Sequence, residues 1–513
     1  MNKNRFIYGS IIMVFMNFLM KIIGFAYEVA LSKFLGAEAM GLFQISMSTL
    51  MTFLIITTSG IPTSVTKLVA QENSKKNSNN VESIFNSTLT FNLFASIIIS
   101  IILLSFSELI SIKMLKNKDM VLGVYFMIPA IIILSASSIL RSYFYGMKDM
   151  ITPSIAQIIE HLTRFIIIVG ILYYICPVEP IHGATIAILG ISIGEFFDLM
   201  WSLFSKRRLY KTKSNYPIDK KNEKSCLIKV LYMSIPLTIS GSFGVILRFI
   251  NTILIPNRLM AAGYTSSESI SIFGRIMGMT MPLIGLSFIV TSALVINLIP
   301  SLSEQIALKR YKDIKRDIHL SIKVTLLVAL PLMSLYVGLS KPLAILLYND
   351  PLVASFIHVM AYGTVLLALQ HTFSGILLGL NKQTSATVNS IIGMILRIIL
   401  IYIFVGNPRF GVNGIFISFY GSNTVILILN LIAIRSVVKF DIDYIDIIGK
   451  PLVASIFMIG FIYLSIHDIG NLQNISTLGF VSSLLAGSLA YIFVLFLTKA
   501  IPKNLFKKLI KLP

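Results

Sequence analysis

Apolar runs of about 20 residues recur from one end of this 513-residue chain to the other, the length a helix needs to cross the hydrocarbon of a bilayer. Inside lipid a backbone must satisfy its own hydrogen bonds, so such runs are helices or a closed barrel. The alternating pattern of barrel strands is absent. Only 13% of the residues are charged and 56% are hydrophobic, with a mean hydropathy of +0.85; a soluble domain of this size needs far more charge on its surface. The sequence therefore predicts an all-α integral membrane protein with about 14 transmembrane helices. They fall near 6–31, 41–66, 84–110, 121–145, 151–175, 182–205, 227–255, 268–298, 318–340, 355–380, 385–405, 412–434, 451–467 and 475–498. The first run, from Phe6, lacks a small-residue cleavage site and is expected to be a retained helix rather than a signal peptide.

The net charge of +21 follows from topology rather than from a nucleic-acid partner, because the cations sit in short loops between apolar runs. Counted over alternate loops, one side holds about 29 Lys and Arg and the other about 7. The rich side includes Lys3, Arg5, Lys75, Lys76, Lys206, Arg207, Arg208, Lys211 and Lys213. Lys309, Arg310, Lys312, Lys315, Arg316 and the tail Lys503, Lys507, Lys508 and Lys511 join it. Both termini are accordingly expected in the cytoplasm. Lys113, Lys116 and Lys118 run against this pattern. Cys176 and Cys226 fall on opposite sides of the membrane, so no disulfide is expected.

The two halves resemble each other at an offset of about 230 residues, the self-similarity of transporter repeats. Gly146-Met147-Lys148 aligns with Gly379-Leu380-Asn381, Ile158-Ile159 with Ile391-Ile392, and Arg164 with Arg397. Lys21 falls on Arg248 and, at the same shift, Gly36 on Gly263. His182-Gly183-Ala184 echoes Asn413-Gly414-Ile415, and Ile61-Pro62-Thr63-Ser64 echoes Ile299-Pro300-Ser301-Leu302. Six helices per repeat make the repeats parallel, able to rock about a shared site. The expected organisation is an N-lobe (1–205), a basic loop (206–226), a C-lobe (227–435), helices thirteen and fourteen (436–498) and a basic tail (499–513). The longest polar segments, about 20 residues, are too short to bury a core of their own.

Ionisable residues inside apolar helices mark function, since a mid-bilayer charge costs at least about 2.5–3.5 kcal/mol. Lys21, Arg248 and Arg275 are the candidate lining of a cationic cavity that attracts an anion. Glu28, seven residues from Lys21, shares its helix face. Glu160 and Arg164, one turn apart, are spaced to pair. With Glu28 and Arg397 they are candidate accessory or ion-coupling groups. Glu195 and Asp198 share a face of helix six, as polar packing or as ligands of a coupling cation. Arg141 and Arg397 are expected to snorkel. Gly190-x-x-x-Gly194 favours close helix packing. His161, His358 and His371 show no metal spacing, and no phosphate-binding loop or nucleophile elbow is present. No cofactor, metal or enzymatic activity is expected.

Local words then resemble a known family. Leu140-Arg141-Ser142-Tyr143-Phe144-Tyr145-Gly146-Met147, with Met150-Ile151-Thr152-Pro153, is similar to the helix four–five signature of the stage V sporulation protein B family. So are Gln157 to Arg164, Ile255-Pro256-Asn257-Arg258-Leu259 with Ala262-Gly263-Tyr264, and Gly274-Arg275-Ile276-Met277-Gly278-Met279. Lys21-Ile22-Ile23-Gly24-Phe25, Gly60-Ile61-Pro62 and Lys67-Leu68-Val69-Ala70 fit the family's start. The resemblance runs from about Lys21 to Arg397. It implies membership of the multidrug/oligosaccharidyl-lipid/polysaccharide exporter superfamily. It also implies a fourteen-helix fold with a central cationic cavity, in the bacterial cytoplasmic membrane. The implied activity is flipping of an undecaprenyl-pyrophosphate-linked saccharide, a peptidoglycan precursor or polysaccharide unit, for spore cortex or cell envelope. Helices thirteen and fourteen would then form a groove for the lipid tail. One departure stands out: where lipid II flippases carry a second Arg in helix one, this chain has Tyr27 before Glu28. A cation-coupled multidrug antiporter of the same superfamily and a membrane-embedded glycan polymerase are the alternatives.

Overall fold

The computed structural model describes residues 3–113, 120–209, 220–439, 443–469 and 477–500. Lys116, Lys118, Lys211, Lys213, Lys503, Lys507, Lys508 and Lys511 lie outside the described residues. Among those described, thirteen helices are long and apolar enough to cross a membrane. The first of these stretches, Phe15–Ser74, is 60 residues long, several times what one crossing needs. It takes in most of α1 (Lys3–Thr58), which is broken at Gly36, and all of α2 (Gly60–Ser74). Gly36 has φ 74° and ψ −178°, a backbone that L side chains rarely adopt. The break turns one stretch into two crossings, which gives the fourteen expected.

Contacts divide the chain into two units, Met1–Gly274 and Arg275–Pro513. The first continues with α3 (Ser78–Ser105), α4 (Ser107–Lys113), α5 (Val121–Gly146), α6 (Ile151–Ile175), α7 (Pro180–Leu209), α8 (Lys220–Ala261) and α9 (Ser266–Gly274). Helix α7 packs against α5, α6 and α1, while α2 packs against α5 and α8. Ile61, Val65, Val69, Phe85, Leu140, Tyr143 and Phe144 form a core between these helices. Helix α9 lies against α1. A Cβ on Gly274 would stand 1.9 Å from the Ala37 carbonyl oxygen, and one on Gly41 would stand 2.2 Å from that of Ile270. Only glycine permits this backbone-to-backbone contact. Cys176 and Cys226 form no disulfide.

The second unit opens with a π-helical turn, Arg275–Thr280, followed by α10 (Met281–Ile284), α11 (Ser287–Ala307), α12 (Tyr311–Gly338) and α13 (Ser340–Leu343). Then come α14 (Val353–Gly379), α15 (Gln383–Leu400), α16 (Val412–Arg435), α17 (Lys450–Ile469) and α18 (Thr477–Leu497). Helix α14 packs on α11, α12 and α16, around Leu302, Ile318, Leu326, Phe373 and Ile376. The extra pair α17–α18 docks on α12. Tyr491 Oη donates to the Leu327 carbonyl at 3.0 Å. Asp446 accepts from both Lys323 and Lys450. Expected helix eight is the segment most altered: it is interrupted by the π-helical turn and by Gly285 before α11 begins. Pro282 stands in the first turn of α10, where its missing N–H leaves no helical bond unmade.

The repeat reappears in the backbone. Gly36 and Gly263, aligned in sequence, both take positive φ, 74° and 105°. So do Lys148 and Asn381, at 64° and 59°, and Lys76 and Lys309, at 58° and 53°. After each of the last two pairs the helix end closes the same way. The Asp149 N–H donates to the Phe144 carbonyl at 2.9 Å, and the Lys382 N–H to that of Leu377 at 2.8 Å. This is the left-handed cap that satisfies orphan carbonyls at a helix C-terminus. Apolar residues match by chance; a shared cap geometry at an aligned position is a stronger sign of repeated structure.

Candidate functional site

Lys21 and Arg248 lie in the first unit, Lys21 on α1 and Arg248 on α8, and both side chains are exposed. Among the described residues no carboxylate forms an ion pair with Arg248. Its helix packs on α1, where Ser48 Oγ donates to Thr252 Oγ1 at 3.2 Å. Arg275 lies in the second unit, where its Nε donates to Asp350 Oδ2 at 2.7 Å. Its charge is therefore balanced at once by a residue in the turn before α14. Arg397, on α15, sits over the Phe419 ring at 5.5 Å, and its Nε has no hydrogen-bond partner. It is half-buried among apolar helices, not extended past a helix end.

Tyr27 is the helix-one position at which the sequence departs from the resemblance. It is buried, with its ring 6.5 Å from that of Phe165 and its hydroxyl without a hydrogen-bond partner. That position is given over to packing against α6. Glu28, the next residue, forms no ion pair among the described residues.

The densest charge in the first unit lies elsewhere, where α5, α6 and α7 meet. Glu160 pairs with Arg164 within α6. The Arg141 guanidinium is 3.2 Å from Asp198 Oδ2, 3.5 Å from Glu195 Oε2 and 3.8 Å from Glu160 Oε2. Ser137 Oγ donates to Glu195 Oε2 at 2.8 Å. Arg141 was expected to snorkel; its side chain is only 15% exposed because acids on two neighbouring helices converge on it. Gly190 and Gly194 bring α7 close enough for this: a Cβ on Gly194 would lie 3.0 Å from the Glu160 carbonyl oxygen. Arg141 also lines a cavity of about 400 Å³ together with Thr58, Thr63, Thr66, Ser138, Tyr145 and Gln157. Sequence reasoning placed neither Arg141 at this site nor Asp350 beside Arg275. The i,i+3 spacing of Glu195 and Asp198 was the one visible signal of an acidic face. The described residues contain no group of His, Cys, Asp and Glu arranged to hold a metal ion.

With this geometry in view, the kinship is informative. The model of the polysaccharide biosynthesis protein family matches residues 6–305, and the MatE model matches residues 243–403. The chain belongs to the polysaccharide biosynthesis protein family. It is 24% identical to stage V sporulation protein B of Bacillus subtilis (strain 168) over 445 residues, 86% of each chain. It is 22% identical to the lipid II flippase MurJ of the same organism over 423 residues, 78% of this chain and 77% of the other. Among solved structures, the lipid II flippase MurJ in its inward closed conformation matches with a TM-score of 0.70 at 16% identity. That match covers 98% of this chain and 100% of MurJ. The chain is a multi-pass membrane protein that shares its fold with the lipid II flippase MurJ and with a multidrug resistance MATE family transporter, and these relatives are transporters, not enzymes. This sets the glycan polymerase aside.

Proposed function

We propose that the protein flips an undecaprenyl-pyrophosphate-linked saccharide from the inner to the outer leaflet of the bacterial cytoplasmic membrane. The saccharide is a peptidoglycan precursor or polysaccharide unit serving spore cortex or cell envelope. Both termini face the cytoplasm. The observation that carries this reading is an exposed Arg248 with no carboxylate paired to it among the described residues, in an apolar helix of a chain related to lipid II flippase. A cation held in an apolar helix without an acid is costly unless an anion uses it, and pyrophosphate accepts several charge-assisted hydrogen bonds. Lys21, its counterpart in the repeat, acts with it. Arg275 becomes available to an anion once it exchanges Asp350 for it. Arg397, Glu28, Glu160 and Arg164 are accessory. Helices α17 and α18 carry the lipid tail. The inside-negative potential favours outward movement of an anion by about 2.3 kcal/mol per charge per 100 mV.

Arg248→Ala and Arg275→Ala are expected to abolish complementation of a flippase-depleted or sporulation-defective strain while the protein still accumulates. Full complementation by both contradicts the cationic site. The MatE match over residues 243–403 and the carboxylates of α6 and α7 favour one second reading, a cation-coupled multidrug antiporter. Resistance to cationic dyes on expression would favour it.

A further inference from the structure

The cluster on α5, α6 and α7 does not balance. Glu160, Glu195 and Asp198 bring three carboxylates; Arg141 and Arg164 bring two guanidinium groups. Fully ionised, the group carries one uncompensated negative charge within apolar helices. Two independent features show where that charge is met. Asp198 is 0% exposed and its Oδ1 has no hydrogen-bond partner, so a buried acceptor stands open. The 400 Å³ cavity reaches Arg141, whose guanidinium touches all three acids; it is wide and polar enough to admit water.

We propose that Glu160, Glu195 and Asp198 together hold one exchangeable proton, taken from water through the cavity beside Arg141. The proton bonds to a carboxylate oxygen, making one neutral carboxylic acid, and the cluster becomes two acids against two guanidiniums. A metal cation is less suited, because Arg141 and Arg164 already occupy the positions between the acids. Net neutrality suits the packed arrangement; deprotonation leaves a charge that favours any arrangement admitting water. Proton occupancy thus biases which conformation the unit adopts. Its use in transport rests on the flippase reading, but the occupancy itself does not.

The neighbouring groups are few. Helix α1 brings the buried Tyr27 and the unpaired Glu28. Helix α5 adds Tyr145 and α6 adds His161, a separate titratable group near Arg164. Helix α2 presents Thr63 and Thr66 to the cavity. Further along α7, Lys206 is closed off by Glu82 of α3 at 2.8 Å, with Tyr143 Oη donating to the same carboxylate.

The chain carries its own reporter. Trp201 is the single tryptophan in 513 residues, one turn from Asp198 on α7, with its indole N–H buried and unpartnered. Its fluorescence in the purified full-length protein is titrated between about pH 4 and pH 9. The proposal expects one transition with the slope of a single proton. Asp198→Asn and Glu195→Gln each abolish it, and His161→Gln leaves it in place. A protonated-carboxyl band in the acid-minus-neutral infrared difference spectrum is lost in Asp198→Asn alongside it. Absence of a transition in the native protein overturns the proposal. So does its persistence in both carboxamide variants, or its loss in His161→Gln. Neither readout involves transport, so a failed flipping assay leaves this result intact.

Discussion

Replacing Arg141 by methionine is expected to destabilise the protein by about 3–5 kcal/mol, enough to remove most of it from the membrane. Arg141 touches Asp198, Glu195 and Glu160 at 3.2–3.8 Å, and its loss leaves Arg164 alone against three buried acids. The large term is the stranded charge, not the lost attraction, so removing acids along with the base should reverse much of the damage. Arg141→Met combined with Glu195→Gln and Asp198→Asn leaves Glu160 facing Arg164 and a neutral remainder. That triple variant is expected to accumulate well above the single one. Thermal unfolding of purified protein and its level in membranes check both. If the triple variant fares no better than the single one, the cluster is not held by charge balance.

Gly274→Leu is the second substitution with a large expected effect. A Cβ there would stand 1.9 Å from the Ala37 carbonyl oxygen and 2.6 Å from the Gly41 amide nitrogen, both backbone atoms that cannot rotate away. Side chains forced into such a contact push the helices apart, at a cost of about 3 kcal/mol or more. The displaced helices are α1 just after its break and α9, whose last residue precedes Arg275. Loss of accumulation is expected, and Gly274→Ala should show a smaller version of it. The control is Gly170→Leu, since a Cβ at Gly170 meets nothing within 4 Å, and this variant should accumulate normally. Equal tolerance of leucine at both sites, measured by membrane level and thermal stability, contradicts the close packing.

Much of the fold was legible because lipid leaves the backbone so few options. Apolar runs of crossing length had to be helices, and the loops expected between helices one and two and between helices seven and eight hold Gly36 and Gly263, both at positive φ. The charge partners were not legible. Arg141 lies five residues from the end of α5, and position along a helix made snorkelling the natural expectation. What decides its environment is the face of α7 turned toward it, set by packing at Gly190 and Gly194, about fifty residues away in sequence. Arg275 likewise finds Asp350 75 residues on, in a turn whose approach no local spacing encodes. Where Glu160 and Arg164 share a helix, the spacing sufficed and the pair forms. Sequence discloses pairing within a helix because its geometry is fixed; pairing between helices depends on rotations that packing alone determines.

The central claim, flipping of a pyrophosphate-linked saccharide, is tested most directly in vesicles. Purified protein is reconstituted with labelled undecaprenyl-pyrophosphate-linked saccharide, and the fraction of label reaching the far leaflet is followed with a membrane-impermeant reagent. The account predicts protein-dependent exposure of the label, faster when the potential drives the anion outward and reduced when Arg248→Ala replaces the native chain. Exposure no faster than in protein-free vesicles, together with efflux of a cationic dye from the same preparation, would contradict it.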